Sequence, residues 1–191
     1  MKKLVLASKS PRRVELLKMM GFDFAIIPSH INEDEYLGLN PVEMVKKLAK
    51  AKAERVAENL ENTVVIAADT IVLIDDIILG KPLNRGEAVS ILQKIQGEKH
   101  QVFTGFAVCD TETKNFIVDY DKTDVFMRSI SDEEIMSYVD TGEPMDKAGA
   151  YGIQGIGGIF VDKILGSYFT VMGLPIHKLA LVLRDFDFKI F

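Results

Sequence analysis

Cysteine is nearly absent: Cys109 is the single one in 191 residues. An internal disulfide framework and a zinc site built on several cysteines are therefore excluded. Cys109 ends the apolar stretch Phe106-Ala107-Val108-Cys109 and reads as a small core hydrophobe rather than a nucleophile. A basic excess is lacking too. The formal net charge is −5, which argues against a general nucleic-acid binder but not against a nucleotide, for which a local basic pocket suffices. No apolar run approaches the ~20 residues of a membrane-spanning helix. The first residues lack the apolar region of a signal peptide, so the cytoplasm is the expected compartment, with no membrane partner. There is no Walker-type phosphate loop and no nucleophile elbow. His30, His100 and His177 stand far apart without metal-ligand spacing. Repeats, low-complexity tracts and long linkers are also missing. What remains is 48% hydrophobic and 27% charged, enough for one substantial core or two small lobes within a single domain over residues 1–191.

The elements alternate in the manner of a mixed α/β protein. Lys3 to Ala7 reads as a buried strand, and Pro11 to about Met20 as a helix with Ser10 as N-cap and Gly21 after its end. Phe24 to Ile27 reads as a strand and Ser29 to Leu39 as an acidic loop. Asn40-Pro41 opens a long helix to about Asn59. Thr63 to Ala68 is an apolar strand expected to end at Asp69-Thr70. Ile71 to Leu79 continues as strand, with a hairpin turn at Asp75-Asp76. A helix over Arg85 to Ile95 precedes two long antiparallel strands, Gln101 to Asp110 and Phe116 to Met127. Ser131 and Glu134 form a capping-box pattern ahead of a helix through Tyr138. Thr141 to Gly158 is glycine-rich and aperiodic. A strand over Ile159 to Ile164 and a helix over Pro175 to Leu183 complete the pattern.

Several residues look chemical. Ser8-Lys9-Ser10-Pro11-Arg12-Arg13 joins a strand to a helix start. Such a start favours an anion, and arginine forks match phosphate oxygens, though a capped surface helix with solvated arginines fits the same residues. On the helix from Pro41, Lys52 falls on the apolar stripe of Val45, Leu48 and Val56. It either snorkels to the edge of the core or points into a cleft. Asp69 follows an apolar strand, where a carboxylate can hold a metal ion, take a proton from water, or merely form a turn. Glu33, Asp34 and Glu35 are either solvated loop charges or metal oxygen ligands. Lys81, in Gly80-Lys81-Pro82, would be a further counter-charge beside a polyphosphate. In Gly142 to Gly155, Asp146 and Lys147 could serve metal and phosphate, and Gln154 offers a donor and an acceptor to an imide-type base edge.

In this order the motifs closely resemble the Maf family of nucleoside triphosphate pyrophosphatases. The carriers are Ser8 to Arg13, Glu33, Lys52, Ala67-Ala68-Asp69-Thr70, Gly80-Lys81-Pro82, Asp146 to Gly155, and Gly173-Leu174-Pro175, from about Leu4 to Leu183. The Ala-Gly-Ala-Tyr-Gly-Ile-Gln-Gly form is similar to the branch acting on dTTP and UTP. The resemblance implies an inosine-triphosphatase-like elongated mixed sheet, with flanking helices and a central cleft between two lobes. It implies metal-dependent hydrolysis between the α- and β-phosphates, with Mg2+ or Mn2+ as cofactor, in a house-cleaning role that extends to modified pyrimidine triphosphates. Asp69 matches the family's proton acceptor. Arg12, Thr70 and Gln154 match positions of substrate choice, and Ser8, Arg13, Lys52 and Lys81 match cleft-lining positions that would meet phosphates. Asp69 and Glu33 are the implied metal ligands. Asn32 stands where many relatives carry Asp, which puts the metal shell in doubt. Homodimers are common among relatives, and a homodimer is the expected assembly. The alternative role, also linked to the family, is a nucleotide-binding regulator of cell division.

Overall fold

Seven strands and six α-helices form within residues 2–189, which the computed structural model of the chain describes. The ends of the expected single domain, residues 1, 190 and 191, lie outside the described residues. The strands are β1 (Lys3–Leu6), β2 (Ala25–Ile26), β3 (Thr63–Ile74), β4 (Ile77–Leu79), β5 (Lys99–Asp110), β6 (Phe116–Met127) and β7 (Val161–Leu165). The helices are α1 (Pro11–Met19), α2 (Pro41–Ala57), α3 (Arg85–Ile95), α4 (Asp132–Asp140), α5 (Tyr168–Met172) and α6 (Ile176–Arg184). The sheet order is β2-β1-β3-β5-β6-β7, with β4 paired to β3. β1 pairs in parallel with β2 and β3, while β3–β4 and β6–β7 are antiparallel. The α/β class and the mixed sheet expected from the sequence are both present.

The chain divides into two compact units. The first holds the residues up to Asp69, Thr104–Asp121 and those from Gly173 on; the second holds Thr70–Phe103 and Lys122–Met172. In the first unit, Ala49, Ala53, Val56 and Ala57 of α2 pack on Val5, Ala7, Val65, Ala67 and Ala107 of the sheet. Small residues on that face let the helix come close. At Gly105 the approach leaves no room for a side chain: a Cβ would lie 2.3 Å from the Val45 carbonyl oxygen. Cys109 is buried in this same core. Burial pushes its thiol up to about 11, which suits an inert core residue.

In the second unit, Val72, Ile74 and Leu79 meet Leu92 and Ile95 of α3 and Ile135 of α4. Asp75 and Asp76 both have positive φ, 48° and 62°, and join Ile74 to its partner Ile77. That is the two-residue hairpin geometry that matches strand twist.

Four local features differ from the sequence pattern. The strand expected to end at Asp69-Thr70 and the one expected from Ile71 are a single strand: β3 runs through both residues to Ile74, and β4 follows the expected turn. The first part is held by β1 up to Leu6↔Ile66 and the last by β4 from Val72. A polar side chain leaves the extended backbone free to continue the ladder, so polarity alone does not end a strand. The acidic loop contains a 3-10 turn over Glu33–Tyr36, capped by the Asn32 side chain, which accepts the Asp34 N–H at 3.3 Å. A further 3-10 turn over Ile156–Phe160 delays β7 to Val161, and the short α5 follows it. β2 is only two residues long.

Candidate active site

Lys52 is the centre of the charged group in the first unit. α2 presents it on its buried face, between Leu48 and Val56, and it is only 9% exposed. Its Nζ donates to Asp69 Oδ1 at 2.5 Å and pairs with Glu33 Oε1 at 2.7 Å. Asp69, in the middle of β3, is also buried. Glu33 is the exposed partner and comes from the 3-10 turn that Asn32 caps. Asn32 does a second structural job here: its Nδ2 also donates to Glu35 Oε1 at 3.2 Å.

α1 supplies the second part. Ser10 accepts the Arg13 N–H at its side chain, as an N-cap should. Arg13 is half-buried. Its Nε donates to the Gly173 carbonyl at 2.8 Å and its Nη1 to Ser8 Oγ at 3.4 Å. Ser8 Oγ also accepts the Ser10 N–H at 3.2 Å. Burial lowers the Arg13 guanidinium from its ordinary value; Asp69 and Glu33 oppose that shift and Arg12 adds to it. Asp69, Glu33 and Arg12 thus each lie within electrostatic reach of Arg13. The two carboxylates that bind Lys52 are therefore also the ones that act on Arg13.

The remaining expected residues belong to the second unit. Thr70 and Val72 project to one face of β3, since side chains alternate along a strand. Gly149 (φ 73°) lies against the Val72 side chain, 3.0 Å from where its own Cβ would be. Its N–H donates to the Gly80 carbonyl at 3.1 Å, which ties the Gly80-Lys81-Pro82 turn to the glycine-rich segment. Lys81 is exposed. Gln154 is exposed at the third position of a turn closed by the Gly155 N–H to the Gly152 carbonyl, at 3.2 Å. Asp146 and Lys147, read from the sequence as metal and phosphate groups, pair with each other at 2.6 Å. Lys147 Nζ also donates to the Glu143 carbonyl at 2.6 Å.

The structure thus brings Ser8, Arg12, Arg13, Glu33, Lys52 and Asp69 together in one unit, and places Thr70, Lys81 and Gln154 in the other. Sequence reasoning missed two contributors. Gly173 holds Arg13 through a carbonyl, which no side-chain pattern can announce. Glu143 is the hub of the glycine-rich segment; its only signal was a carboxylate between Gly142 and Pro144, and its partners are backbone N–H groups and a tyrosine hydroxyl rather than a cation.

Among the described residues, no group of three or more His, Cys, Asp and Glu side chains is arranged to hold a metal ion. The pair Glu33 and Asp69 still meets the protein's share of a magnesium shell, because Mg2+ takes one or two carboxylates and completes its coordination with phosphate oxygens and water. Both carboxylates already converge on one cationic nitrogen, that of Lys52.

A family model described as Maf-like protein matches residues 3–186. The dTTP/UTP pyrophosphatase of Alkaliphilus oremlandii is 50% identical over 192 residues, covering 100% of both chains. The protein of the same name from Caldicellulosiruptor saccharolyticus is 46% identical over 194 residues, covering 100% of this chain and 98% of the relative. Among solved structures, a HAM1 protein from Coxiella burnetii is similar with a TM-score of 0.50 and 15% identity, over 97% of this chain and 100% of that one. That last likeness is one of fold.

Proposed function

The chain belongs to the family of Maf-like proteins, and from that membership we propose that it is a nucleoside triphosphate pyrophosphatase. It hydrolyses dTTP and UTP to the nucleoside monophosphate and diphosphate. Full-length relatives at 46% and 50% identity that carry the name dTTP/UTP pyrophosphatase support the reaction. The observation in the structure that best supports it is the Lys52 ammonium bound at once to Asp69 and Glu33. Two carboxylates and a buried cation within bonding distance suit a guest that is itself a polyanion accompanied by a metal cation.

In the mechanism, Asp69 accepts the proton of the attacking water. The water oxygen bonds to the α-phosphorus, and the α–β bridging oxygen leaves with diphosphate. Lys52, Arg13 and Lys81 balance the charge that develops on the phosphates. Arg13 is pre-oriented by Gly173 and Ser8, so its fork loses little freedom on binding. Glu33 and Asp69 would hold a divalent cation, magnesium or manganese, which when bound polarises the phosphoryl group and neutralises charge. Arg12, Thr70 and Gln154 are assigned to the choice of nucleobase. The cellular role is house-cleaning of nucleotide pools in the cytoplasm.

Product analysis with a panel of nucleoside triphosphates and magnesium tests this reading, using wild type and Asp69→Asn. Diphosphate and monophosphate are expected from dTTP and UTP, with the rate in the variant lower by ~10²–10⁴-fold. Orthophosphate as product would overturn the assigned bond. Purine triphosphates cleaved as fast as dTTP would overturn the pyrimidine choice. Including 5-methyl forms ranks normal against modified substrates. Binding without turnover of any triphosphate would put a nucleotide-sensing regulator of cell division ahead.

A further inference from the structure

The turn that carries Gln154 is short, exposed and made largely of glycine, so by itself it would sample many conformations. A residue outside the turn holds it from both flanks. On the C-terminal side, Glu143 Oε2 accepts the Ile156 N–H at 2.8 Å and Oε1 accepts the Gly157 N–H at 3.0 Å. On the N-terminal side the Tyr138 hydroxyl accepts from the Gly152 N–H and donates to Glu143 Oε1 at 2.8 Å. The carboxylate therefore closes a clip around Ile153 and Gln154.

The surroundings fit that purpose closely. A Cβ on Gly155 would stand 2.5 Å from both Glu143 oxygens, and one on Gly157 would stand 2.5 Å from the Tyr138 hydroxyl. The glycines of this segment admit a carboxylate of the chain itself. Burial pushes the Glu143 carboxyl up, but the Gly157 and Ile156 N–H groups and the Tyr138 hydroxyl together hold it below the usual carboxylate value. Hydrogen bonds to an ionised acceptor are stronger than neutral ones, so an amide of the same shape is no substitute: its NH2 group would oppose a backbone N–H. Tyr138 is steadied in turn by the Phe160 ring, edge-on at 5.1 Å.

We propose that Glu143 is a positioning residue for nucleobase choice, fixing the turn of Gln154 by clamping the backbone on both sides of it. The proposal rests on the reading of Gln154 as a base-selecting residue of a pyrimidine triphosphatase. Glu143 itself touches no reacting atom; it acts through the place it gives to Gln154.

The test compares Glu143→Gln, Tyr138→Phe and Gln154→Ala with wild type. The readouts are kcat/KM for dTTP and dATP, and inhibition by the products dTMP and diphosphate. In Glu143→Gln the dTTP-over-dATP ratio is expected to fall at least tenfold, through KM rather than kcat. Inhibition by dTMP should weaken by a similar factor, while inhibition by diphosphate, which has no base, stays within twofold. Tyr138→Phe removes the link through Gly152 but keeps the ring and the Glu143 bonds to Ile156 and Gly157, so a smaller fall of about threefold is expected. It also keeps the proposal testable if Glu143→Gln does not fold. Equal losses of dTMP and diphosphate inhibition would mean a general structural role and overturn the proposal. So would an unchanged ratio in Glu143→Gln beside a reduced one in Gln154→Ala, or, should Glu143→Gln not fold, in Tyr138→Phe. A wild type without pyrimidine preference, or Gln154→Ala with an unchanged ratio, would overturn the base-selecting reading and the proposal with it.

Discussion

His100 shows how one buried polar side chain can set the pH response of the chain. It is 1% exposed; its Nε2 meets the Tyr151 hydroxyl at 2.8 Å, and its Nδ1 is buried without a partner among the described residues. Burial lowers its pKa to about 4 from the ordinary 6.5. The folded state therefore prefers the neutral ring, whereas the unfolded chain takes up a proton below pH 6.5. Stability is full above that value and is lost as pH falls from 6.5 through 4. Between pH 7.5 and pH 5 the expected loss is about 2 kcal/mol from this residue. The Glu134 carboxyl, held at about 2 by Arg128 and the Ser131 N–H, titrates below most of that window and does not mask the effect. Urea unfolding of wild type and His100→Gln at the two pH values checks this. The wild-type difference should exceed that of the variant by about 2 kcal/mol; equal differences would refute the assignment.

At the scale of elements, α2 decides where Lys52 goes, and Gly105 decides how close α2 lies. With a Cβ due 2.3 Å from the Val45 carbonyl oxygen and 2.9 Å from the Lys46 nitrogen, Gly105→Ala forces backbone apart from backbone, where no side chain can yield. The expected destabilisation is about 3 kcal/mol, with a fall in kcat, because Lys52 leaves Asp69 as the helix moves. Denaturation and steady-state kinetics on the same preparation check it; a neutral substitution would show that the contact can relax. Nothing in the local pattern around Gly105 marks this contact, since the partner is 60 residues away in the chain. The same distinction separates what was readable from what was not. The N-caps Ser10, Asn40 and Ser131 and the Asp75-Asp76 turn act over a few residues, and all were legible. Lys52 was legible as an anomaly, a charge on an apolar stripe. The continuation of β3 through Asp69, the Gly173 carbonyl on Arg13 and the hub role of Glu143 depend on pairings between distant segments, which periodicity does not encode. For the candidate site, the residues came from motif order and the family resemblance, while their pairings became visible only in the fold.

At the scale of the whole molecule, the net charge of −5 works against a triphosphate, which is also strongly negative. Beyond a Debye length of ~8 Å salt screens that repulsion, so affinity must come from groups close to the ligand. In the proposed site Arg13, Arg12 and Lys52 would be such groups, while the carboxylates of Asp69 and Glu33, which act on Arg13 and bind Lys52, would reduce their pull. A divalent cation bound there would restore the balance, and its removal should weaken nucleotide binding as well as stop hydrolysis. An α,β-methylene analogue of dTTP, which cannot be cleaved at the bridging position, isolates the binding step. At 100 times its Kd, with magnesium, it should stabilise the folded chain by about 2.7 kcal/mol. For a chain of this size that is a rise in Tm of roughly 5–10 °C. With EDTA in place of magnesium the rise should shrink to a few degrees or less, and the corresponding purine analogue at the same concentration should give a smaller rise than the dTTP analogue. Scanning calorimetry on the wild-type protein measures all three. An undiminished rise in EDTA would mean that the arginines and Lys52 alone offset the phosphates, and that Glu33 and Asp69 serve Lys52 rather than a metal ion.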